Sequence, residues 1–451
     1  MTSAIRNWAR AAMVAPLIAP LVATAAPAWA EVDIQEVTSP GGITAWLVEE
    51  DSIPFVSIDL RFEGGANLDA PGKRGATNLM MATLEEGAAD RDARAFAEAA
   101  ESLGARMGFD AFNDGVQVEA SFLTENRADS VALLRDALIA PRFDADAVDR
   151  VRDQVLAVIQ QDEADPSEIA IATLDRLAYG DHPYGTNLSG TRESVSALTP
   201  DDLRAAHAKA LTRDRVHVGV TGDITPAELG PLLDELLGDL PESSDAVASE
   251  ADYALEGGVT VVDFPSPQSL VLFGHEGIKR DDPDFFPAFV LNHMLGGSGF
   301  NSILMEEVRE KRGLTYGIGT ALVPLDLGAQ YLGRFSSSND KAAEAVEIVR
   351  DQWARLEAGE IDMDRLAAVK TYLTGAYPLR FNGNANIAGI LAAMQLQDLP
   401  IDYVNTRNAK VDAVTPDDVT RVAGRLLDAD ALHFVAVGQP EGLESGPLPE
   451  G

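Results

Sequence analysis

The stretch VSALTPDDLRAAHAKALTRDRVHVGVTGD, residues 195–223, returns later in the chain as VDAVTPDDVTRVAGRLLDADALHFVAVGQ, residues 411–439. Each position of the first copy lies 216 residues before its counterpart, and the two copies align without a gap. In both, Thr-Pro-Asp-Asp opens a helix, since threonine caps it, proline suits its first turn and two acids face the positive end of its dipole. An apolar strand follows and stops at Gly222 or Gly438. The repetition predicts a duplicated unit, with one copy in each half of the chain.

Strand and helix patterns fill the rest of each unit. Residues 104–138 and 313–353 each read as turn, strand, strand and amphipathic helix. An earlier strand alternates apolar and polar residues, which is typical of a sheet with one buried face, and its apolar members are Val56, Ile58, Leu60 and Phe62. The fold class is therefore predicted as α+β, with two homologous α/β halves, each a mostly antiparallel sheet covered by helices.

Domain boundaries are predicted from the repeat and from one polar stretch. Residues 241–258 are acidic and lack periodicity, as a linker does. They separate an N-terminal half, residues 31–240, from a C-terminal half, residues 259–451. Residues 1–30 are predicted to be a signal peptide that is removed from the mature protein.

Three features in order support the signal peptide. Arg6 and Arg10 give a positive start, residues 11–26 are apolar, and an A-x-A cleavage site ends at Ala30. A membrane anchor is the alternative, but the apolar run is short and contains two prolines. No later stretch is long and apolar enough to span a bilayer. The sequence thus predicts a periplasmic protein, exported and cleaved after Ala30, without a membrane span.

Composition narrows the classes of partner. The formal net charge is −37 at pH 7, so the surface repels nucleic acid phosphates and anionic lipid heads, and neither is expected as a partner. The chain has no cysteine, which excludes disulfides and thiolate metal ligands. Hydrophobic residues make up 46% of the chain, enough for sizeable cores, so stability must come from packing.

Several segments resemble the insulinase (pitrilysin) family of peptidases. LNHMLGGSGFNSILMEEVREKRGLTYGIG, residues 291–319, is similar to that family's C-terminal signature. RGATNLMMATLEEG, residues 74–87, is similar to the stretch that carries the family's zinc motif, and FDADAVDRVRDQVLAVIQQDEADP, residues 143–166, to the long helix after it. The resemblance implies that the two halves form one half of a clamshell chamber.

The zinc motif of that family, H-x-x-E-H, is degenerate in this chain. In the family, two imidazoles one helical turn apart bind zinc and the glutamate acts as general base. The matching positions here hold Asn78, Met81 and Ala82, and the distal ligand position falls at Val158, where we expect the long helix to turn an apolar stripe inward. An amide, a thioether and two aliphatic groups cannot hold zinc. The resemblance therefore implies that this chain binds no metal or other cofactor and that zinc resides in a homologous partner subunit with an intact H-x-x-E-H.

No other residues offer a replacement zinc site. The chain has six histidines, and no two lie three to five positions apart: His182, His207, His217, His275, His293 and His433. His217 and His433 occupy equivalent strand positions in the repeat, so we expect hydrogen-bonded structural histidines. Glu85 and Glu86, just behind the degenerate motif, are interpreted as a helix end.

A second family element is retained in the C-terminal half. The resemblance implies that Arg309 and Tyr316 reach the scissile carbonyl of a peptide and stabilise its oxyanion. The local pattern predicts a helix over 303–311, a turn at Gly313 and a strand over 314–320. The upstream glycines at 296–299 are interpreted as a tight turn, because a phosphate loop would need a lysine and a preceding strand.

Both residues also have a structural interpretation. Arg309 belongs to a charge run, residues 306–312, that is typical of a solvated helix face with i,i+3 and i,i+4 pairs. Tyr316 on a strand is often a core or rim aromatic.

The leading functional hypothesis is a non-metal subunit of a heterodimeric exported zinc peptidase, which binds peptide as an added strand and stabilises the oxyanion. The alternative is a catalytically inactive peptide-binding or scaffold protein of the same fold. An independent hydrolase ranks last, since the chain has no cysteine nucleophile, no G-x-S-x-G and no Ser/His/Asp set at recognisable spacing.

Overall fold

A computed structural model describes residues 32–297 and 301–446. The predicted signal peptide, residues 1–30, and two of the upstream glycine-stretch residues, 298 and 299, lie outside the described residues. The strands are β1 (Gln35–Thr38), β2 (Thr44–Glu49), β3 (Phe55–Glu63), β4 (Gly87–Ala88), β5 (Arg91–Asp92), β6 (Arg106–Ala111), β7 (Gly115–Leu123), β8 (Val216–Gly222), β9 (Gly258–Asp263), β10 (Gln268–Glu276), β11 (Ile318–Pro324), β12 (Ala329–Ser338) and β13 (His433–Gly438).

The α-helices alternate with these strands in both halves. They are α1 (Ala76–Thr83), α2 (Ala93–Leu103), α3 (Arg127–Ile139), α4 (Ala145–Asp162), α5 (Pro166–Tyr179), α6 (Arg192–Ser196), α7 (Pro200–Ala210), α8 (Pro226–Leu237), α9 (Phe285–Asn292), α10 (Ala342–Glu357), α11 (Met363–Ala376), α12 (Asn384–Leu396), α13 (Tyr403–Ala413) and α14 (Pro416–Leu426). Two π-helical segments, His293–Gly297 and Met305–Glu310, follow α9. No helix of the described residues is long and apolar enough to cross a bilayer.

The strands form two main sheets, each built from one side of the predicted linker. A six-stranded sheet has the order β1-β2-β8-β3-β7-β6, and a five-stranded sheet has the order β11-β12-β10-β13-β9. Within each sheet one pair is parallel, β2 with β8 and β9 with β13, and the other pairs are antiparallel. The prediction of two homologous, mostly antiparallel α+β halves is confirmed.

The repeat that opens the sequence corresponds to equivalent elements in the two sheets. Both α7 and α14 begin with the predicted threonine cap, Thr199 or Thr415, whose side chain accepts from the amide of Asp202 or Asp418 while that aspartate bonds back to the threonine amide. The strands that follow, β8 and β13, each lie between a parallel neighbour and an antiparallel neighbour. Local capping chemistry and strand position are therefore duplicated together.

One face of each sheet packs on helices of its own half. In the N-terminal sheet the predicted set Val56, Ile58, Leu60 and Phe62 is buried. The stripe Val148, Val151, Val155 and Ile159 of α4 belongs to the same core. In the C-terminal sheet, Val271 and Phe273 of β10 pack in a second core with α9, α10 and α14.

The opposite face of each sheet is covered by a helix from the other half. Helix α5 precedes the linker, yet its Ala170 and Leu174 pack on Leu272, Val435 and Val437 of the C-terminal sheet. The burial of these aliphatic side chains stabilises the contact, since each buried methylene contributes about 0.8 kcal/mol.

The reciprocal contact is made by α12, which follows the linker and lies on β8 and β3 of the N-terminal sheet. Helix and strand approach so closely that a Cβ on Gly219 would lie 2.1 Å from the carbonyl oxygen of Ala388. Gln395 Nε2 also donates to the carbonyl oxygen of Val218 at 2.8 Å. Each half thus supplies a helix that packs on the second face of the other half's sheet.

The predicted linker contains no helix or strand between residues 242 and 256, but it is held in place. The Tyr253 ring packs edge-on against Tyr179 with centroids 5.5 Å apart. The amide of Ala254 donates to the carbonyl oxygen of Ala178 at 2.8 Å. The chain from residue 32 onward forms one compact unit, so the boundaries at 240 and 258 stay a prediction.

Replacing the cap threonine of α14 tests the duplicated helix start. We expect Thr415→Ala to lower the free energy of unfolding by about 1 kcal/mol, because the amide of Asp418 loses its acceptor. The measurement is urea denaturation followed by circular dichroism. Thr420→Ala, at an exposed site inside the same helix, is the matched control and should cost nothing, because alanine has the higher helix propensity. Equal effects of the two substitutions would contradict the capping role.

Candidate functional site

The degenerate motif lies on α1, and its central residue is part of the core. Asp69 sets the start of the helix, since its carboxylate accepts from the amides of Gly75 and Thr77 at 2.8 and 2.9 Å. Met81, at the position of the general base, is 1% exposed and packs in the N-terminal core. Asn78 and Ala82 on the same helix are half-buried. The side chain that would act on a metal-bound water in the family is here a packing residue.

The prediction for Val158 is wrong in one respect. We expected this residue to lie on the inward stripe of the long helix, but its side chain is 51% exposed. Its neighbours Val155 and Ile159 are the buried members of that stripe. Residue 158 lies one position, about 100° around the helix, from Ile159, so it leaves the apolar face. The distal ligand position is therefore an exposed alkyl group with no lone pair to offer zinc.

Two carboxylates, Glu85 and Glu86, lie just behind the motif. Helix α1 ends at Thr83, so Glu85 and Glu86 follow the helix end as predicted, and Glu86 pairs with Arg150 of α4. Among the described residues there is no group of three or more histidine, aspartate or glutamate side chains that could hold a metal ion.

The two repeat histidines are structural, as predicted. His217 Nε2 lies 2.7 Å from Glu63 Oε1. His433 Nε2 lies 2.9 Å from Thr260 Oγ1, and its Nδ1 lies 2.7 Å from the carbonyl oxygen of Glu256. Burial lowers the pKa of His433, which favours the neutral ring in this position.

Arg309 lies in the second π-helical segment, which lies within the predicted helix over 303–311. Its side chain is half-buried, and the charge run around it forms pairs such as Lys311 Nζ to Glu307 Oε1 at 2.6 Å, as expected of a helix face. Gly313 (φ +61°) ends the helix as predicted, with its amide donating to the carbonyl oxygen of Arg309 at 2.9 Å. π-Helical segments are rare and frequently occur at functional sites.

The predicted strand over 314–320 is partly wrong, because β11 begins only at Ile318. Residues 314–317 form a loop that Thr315 holds in place. Its hydroxyl donates its single proton to the carbonyl oxygen of Ser336 at 2.7 Å, lies 2.9 Å from the carbonyl oxygen of Gly317 and accepts from the amide of Gly317 at 3.1 Å. These local bonds bend the backbone away from a strand path before pairing starts.

Tyr316 stands at the tip of this loop and is 88% exposed. The interpretation as a core aromatic is therefore excluded. Because Thr315 and Gly317 on either side are held by hydrogen bonds, the loop presents the phenol to solvent from a fixed backbone.

Tyr316 borders a groove of about 790 Å³ on the open face of the C-terminal sheet. Helix α5 contacts mainly β10 and β13 on this face, and Leu332 of β12 packs at the border of that contact. Within the described residues the helix leaves most of β12 and β11 uncovered on this face. The groove is mainly apolar and its side chains include Ile171, Leu270, Leu272, Ala321, Val323 and Leu332. β11 is also the last strand of its sheet, and among the described residues no further strand pairs with its outer edge.

The matching region of the N-terminal sheet has a different chemistry. A cavity of about 590 Å³ beside the start of α12 is lined by three charged residues, Asp59, Arg106 and Glu119, together with apolar and uncharged residues. Burial raises the pKa of Asp59, and Arg61, 3.1 Å away, opposes that shift. The N-terminal cavity therefore carries three charged side chains in its wall, whereas the wall of the C-terminal groove is mainly apolar.

The apolar groove is not among the features that the sequence predicts. The signal was present in SLVLFG of β10, residues 269–274, where apolar residues do not alternate with polar ones. Such a run predicts a strand with apolar residues on both faces. It does not tell which helix covers the second face or how far that cover extends.

Comparison with known proteins identifies related chains. The sequence profile of the insulinase family (peptidase family M16) matches residues 45–192, and that of the peptidase M16 inactive domain matches residues 197–373. A Helicobacter pylori protein named non-peptidase homolog YmxG is 27% identical over 336 residues, covering 74% of this chain and 77% of that protein. The probable mitochondrial-processing peptidase subunit beta of Schizosaccharomyces pombe is 22% identical over 432 residues, covering 91% and 92%.

A solved structure agrees with the fold. The crystal structure of a peptidase M16 inactive domain from Pseudomonas fluorescens superposes with a TM-score of 0.85 at 28% sequence identity. The superposition covers 92% of this chain and all of that chain.

A carboxylate introduced at Met81, the position of the family's general base, tests whether this side of α1 is part of the hydrophobic core. We expect Met81→Glu to lower the free energy of unfolding at pH 7 by about 3 kcal/mol or more, because an unpaired carboxylate enters the core. The loss should shrink toward pH 4, since burial raises the pKa of the folded-state carboxyl and protonation removes the charge. Urea denaturation at both pH values provides the measurement.

The matched control is Met81→Leu, which keeps volume and apolarity and should cost less than about 1.5 kcal/mol. If Met81→Glu were as stable as the unmodified protein at pH 7, Met81 would not be the core residue described above.

Proposed function

Because this chain belongs to the insulinase family of peptidases, family M16, we propose that it is the non-metal subunit of an exported, heterodimeric zinc peptidase. The observation that carries the proposal is the combination of lost and retained groups in one chain. Met81 has been absorbed into the core and Val158 offers no ligand, whereas Tyr316 is exposed beside an apolar groove. A homologous subunit with an intact H-x-x-E-H supplies zinc and the general base.

The chemistry assigned to this chain is peptide binding and charge stabilisation. The substrate peptide lies extended along the groove and pairs with the free edge of β11. Water addition to a peptide carbonyl creates an oxyanion, which Tyr316 and Arg309 stabilise through the phenolic O–H and the guanidinium group. An edge strand beside an apolar groove supports the binding step, because the backbone provides affinity and the groove receives side chains.

Assembly and location belong to the same proposal. The yeast relative is named as one subunit of a processing peptidase, which supports a two-subunit enzyme here. The positive, apolar and A-x-A features of residues 1–30 support export to the periplasm with cleavage after Ala30. The net charge of −37 favours basic peptides as substrates.

A catalytically inactive peptide-binding or scaffold protein of the same fold is the second candidate. The name non-peptidase homolog of the Helicobacter pylori relative favours it. Capture of the chain from a periplasmic extract separates the two functions. A stoichiometric H-x-x-E-H protein in the captured material supports the peptidase subunit, and recovery of the chain without such a protein supports the scaffold.

Two substitutions in the captured pair test the oxyanion role. We expect Tyr316→Phe to lower kcat about 100-fold with little change in KM, because the phenolic O–H acts on a charge that develops only in the transition state. Arg309→Ala should act in the same direction. The measurement is steady-state hydrolysis of a fluorogenic peptide.

Each substitution has a matched control: Tyr372→Phe for Tyr316→Phe, and Arg312→Ala for Arg309→Ala. Tyr372→Phe changes an exposed tyrosine on α11, and Arg312→Ala changes the arginine that pairs with Glu307. Both controls should retain full kcat. Full activity in Tyr316→Phe and Arg309→Ala would exclude the oxyanion role while leaving peptide binding open.

The groove is tested without the partner. Ala321 is exposed on the edge strand within the groove, so Ala321→Asp adds a charge without disturbing a core. We expect this variant to bind an extended apolar peptide at least about tenfold more weakly, measured by fluorescence anisotropy. Ala368→Asp, at an exposed site on α11, adds the same charge elsewhere and should bind normally. Equal binding by both variants would place the peptide outside this groove.

A further inference from the structure

A second cavity lies in the C-terminal half, away from the groove beside Tyr316. It has a volume of about 230 Å³ and is bordered by α9, α12, α13 and the segment after α11. Aromatic rings form much of its wall: Phe285, Phe286, Phe289, Tyr377, Phe381 and Tyr403. None of the residues that line it carries a carboxylate.

Three arginines, Arg280, Arg380 and Arg407, line the same cavity. The guanidinium carbon of Arg280 lies 4.2 Å from the centre of the Phe285 ring, and its Nη2 donates to the Tyr403 hydroxyl at 2.7 Å. These contacts hold the guanidinium group in place before any ligand arrives.

Arg407 is held in a similar way. Its guanidinium carbon lies 4.6 Å from the centre of the Tyr377 ring. Its Nη1 donates to the carbonyl oxygen of Leu373 at 2.8 Å and to Asn408 Oδ1 at 3.0 Å. The residue is 5% exposed, and all of these partners are neutral.

The charge of this cavity is not balanced by the described part of the chain. Burial lowers the pKa of Arg407, and the positive charge of Arg380 adds to that effect. Tyr377 cannot act as the counter-ion, because burial raises the pKa of its phenol to about 12. The chain contains 72 aspartates and glutamates, yet none forms an ion pair with these arginines within the described residues. Arg407 is the buried member of the three, and a buried positive charge without a carboxylate partner favours an anion beside it.

We propose that this cavity binds a carboxylate attached to a single apolar group. The arginines receive the carboxylate through their planar N–H donors, which match its geometry. The aromatic wall receives the apolar group, and a volume of about 230 Å³ accommodates one amino-acid residue. The C-terminal residue of a peptide that ends in phenylalanine and a free aromatic acid share this chemistry. The site does not depend on a partner subunit.

The test compares two ligands that differ only in charge. Isothermal titration calorimetry on the purified chain measures binding of N-acetyl-L-phenylalanine and of its uncharged amide. We expect the acid to bind at least tenfold more tightly than the amide. Equal affinities, or no binding of the acid, would overturn the proposal.

Variants separate the site from a general effect of positive charge. Arg380 is exposed at the cavity, so Arg380→Gln should fold normally and weaken acid binding at least fivefold while leaving the amide unchanged. Arg94→Gln, 87% exposed on α2 and paired with Glu98, is the matched control and should bind the acid normally. Unchanged acid binding in Arg380→Gln would overturn the proposal, even if variants of the buried Arg407 failed to fold.

Further ligands identify the source of the carboxylate. A blocked tripeptide ending in phenylalanine that binds as tightly as the acid identifies a peptide C-terminus as the ligand. Binding of 3-phenylpropionate with exclusion of the tripeptide identifies a free acid, and both results support the site. Inorganic sulfate that binds as tightly as the acid would contradict it, because the apolar wall would then contribute nothing.

Discussion

Each sheet in this protein has two faces to bury, and the helix that covers the second face comes from the other half of the chain. Helix α5 lies on β10 and β13, and α12 lies on β8 and β3. The close approach of Gly219 to Ala388 leaves no room for a side chain at that contact. The remaining architecture depends on this exchange, because neither sheet is covered on both faces without it. The groove on the C-terminal sheet lies beside α5, and the cavity on the N-terminal sheet lies beside the start of α12, so the position of each depends on where the helix from the other half ends.

A structural feature could be predicted from the sequence when the residues that cause it lie close together in the chain. The capping residues Thr199 and Thr415, the turn at Gly313 and the apolar alternation around Val56 act within a few residues of chain, so they were predicted correctly. The loss of zinc ligands was also readable, since residue type alone decides which side chains have lone pairs for a metal.

Predictions failed where distant parts of the chain decide the outcome. Val158 is an exception with a local cause, because the helical rotation of about 100° from the buried Ile159 places it off the stripe and in solvent. The loop at residues 314–317 replaces the first part of a predicted strand, because the Thr315 hydroxyl donates a hydrogen bond to the carbonyl oxygen of Ser336 on β12. The arginine-lined cavity was not predicted at all, since its aromatic and cationic residues come from three separate segments, 280–289, 377–381 and 403–407.

The free edge of β11 has a consequence for the behaviour of the protein at high concentration. An edge strand that, among the described residues, pairs with no further strand is a template for pairing with a second copy of the same chain. Here every copy carries a formal charge of −37, so two copies repel each other before their edges meet. This repulsion reaches about 10 Å at 0.1 M ionic strength and about 3 Å at 1 M. Colloidal stability is thereby tied to salt, and self-association is suppressed most strongly in dilute electrolyte.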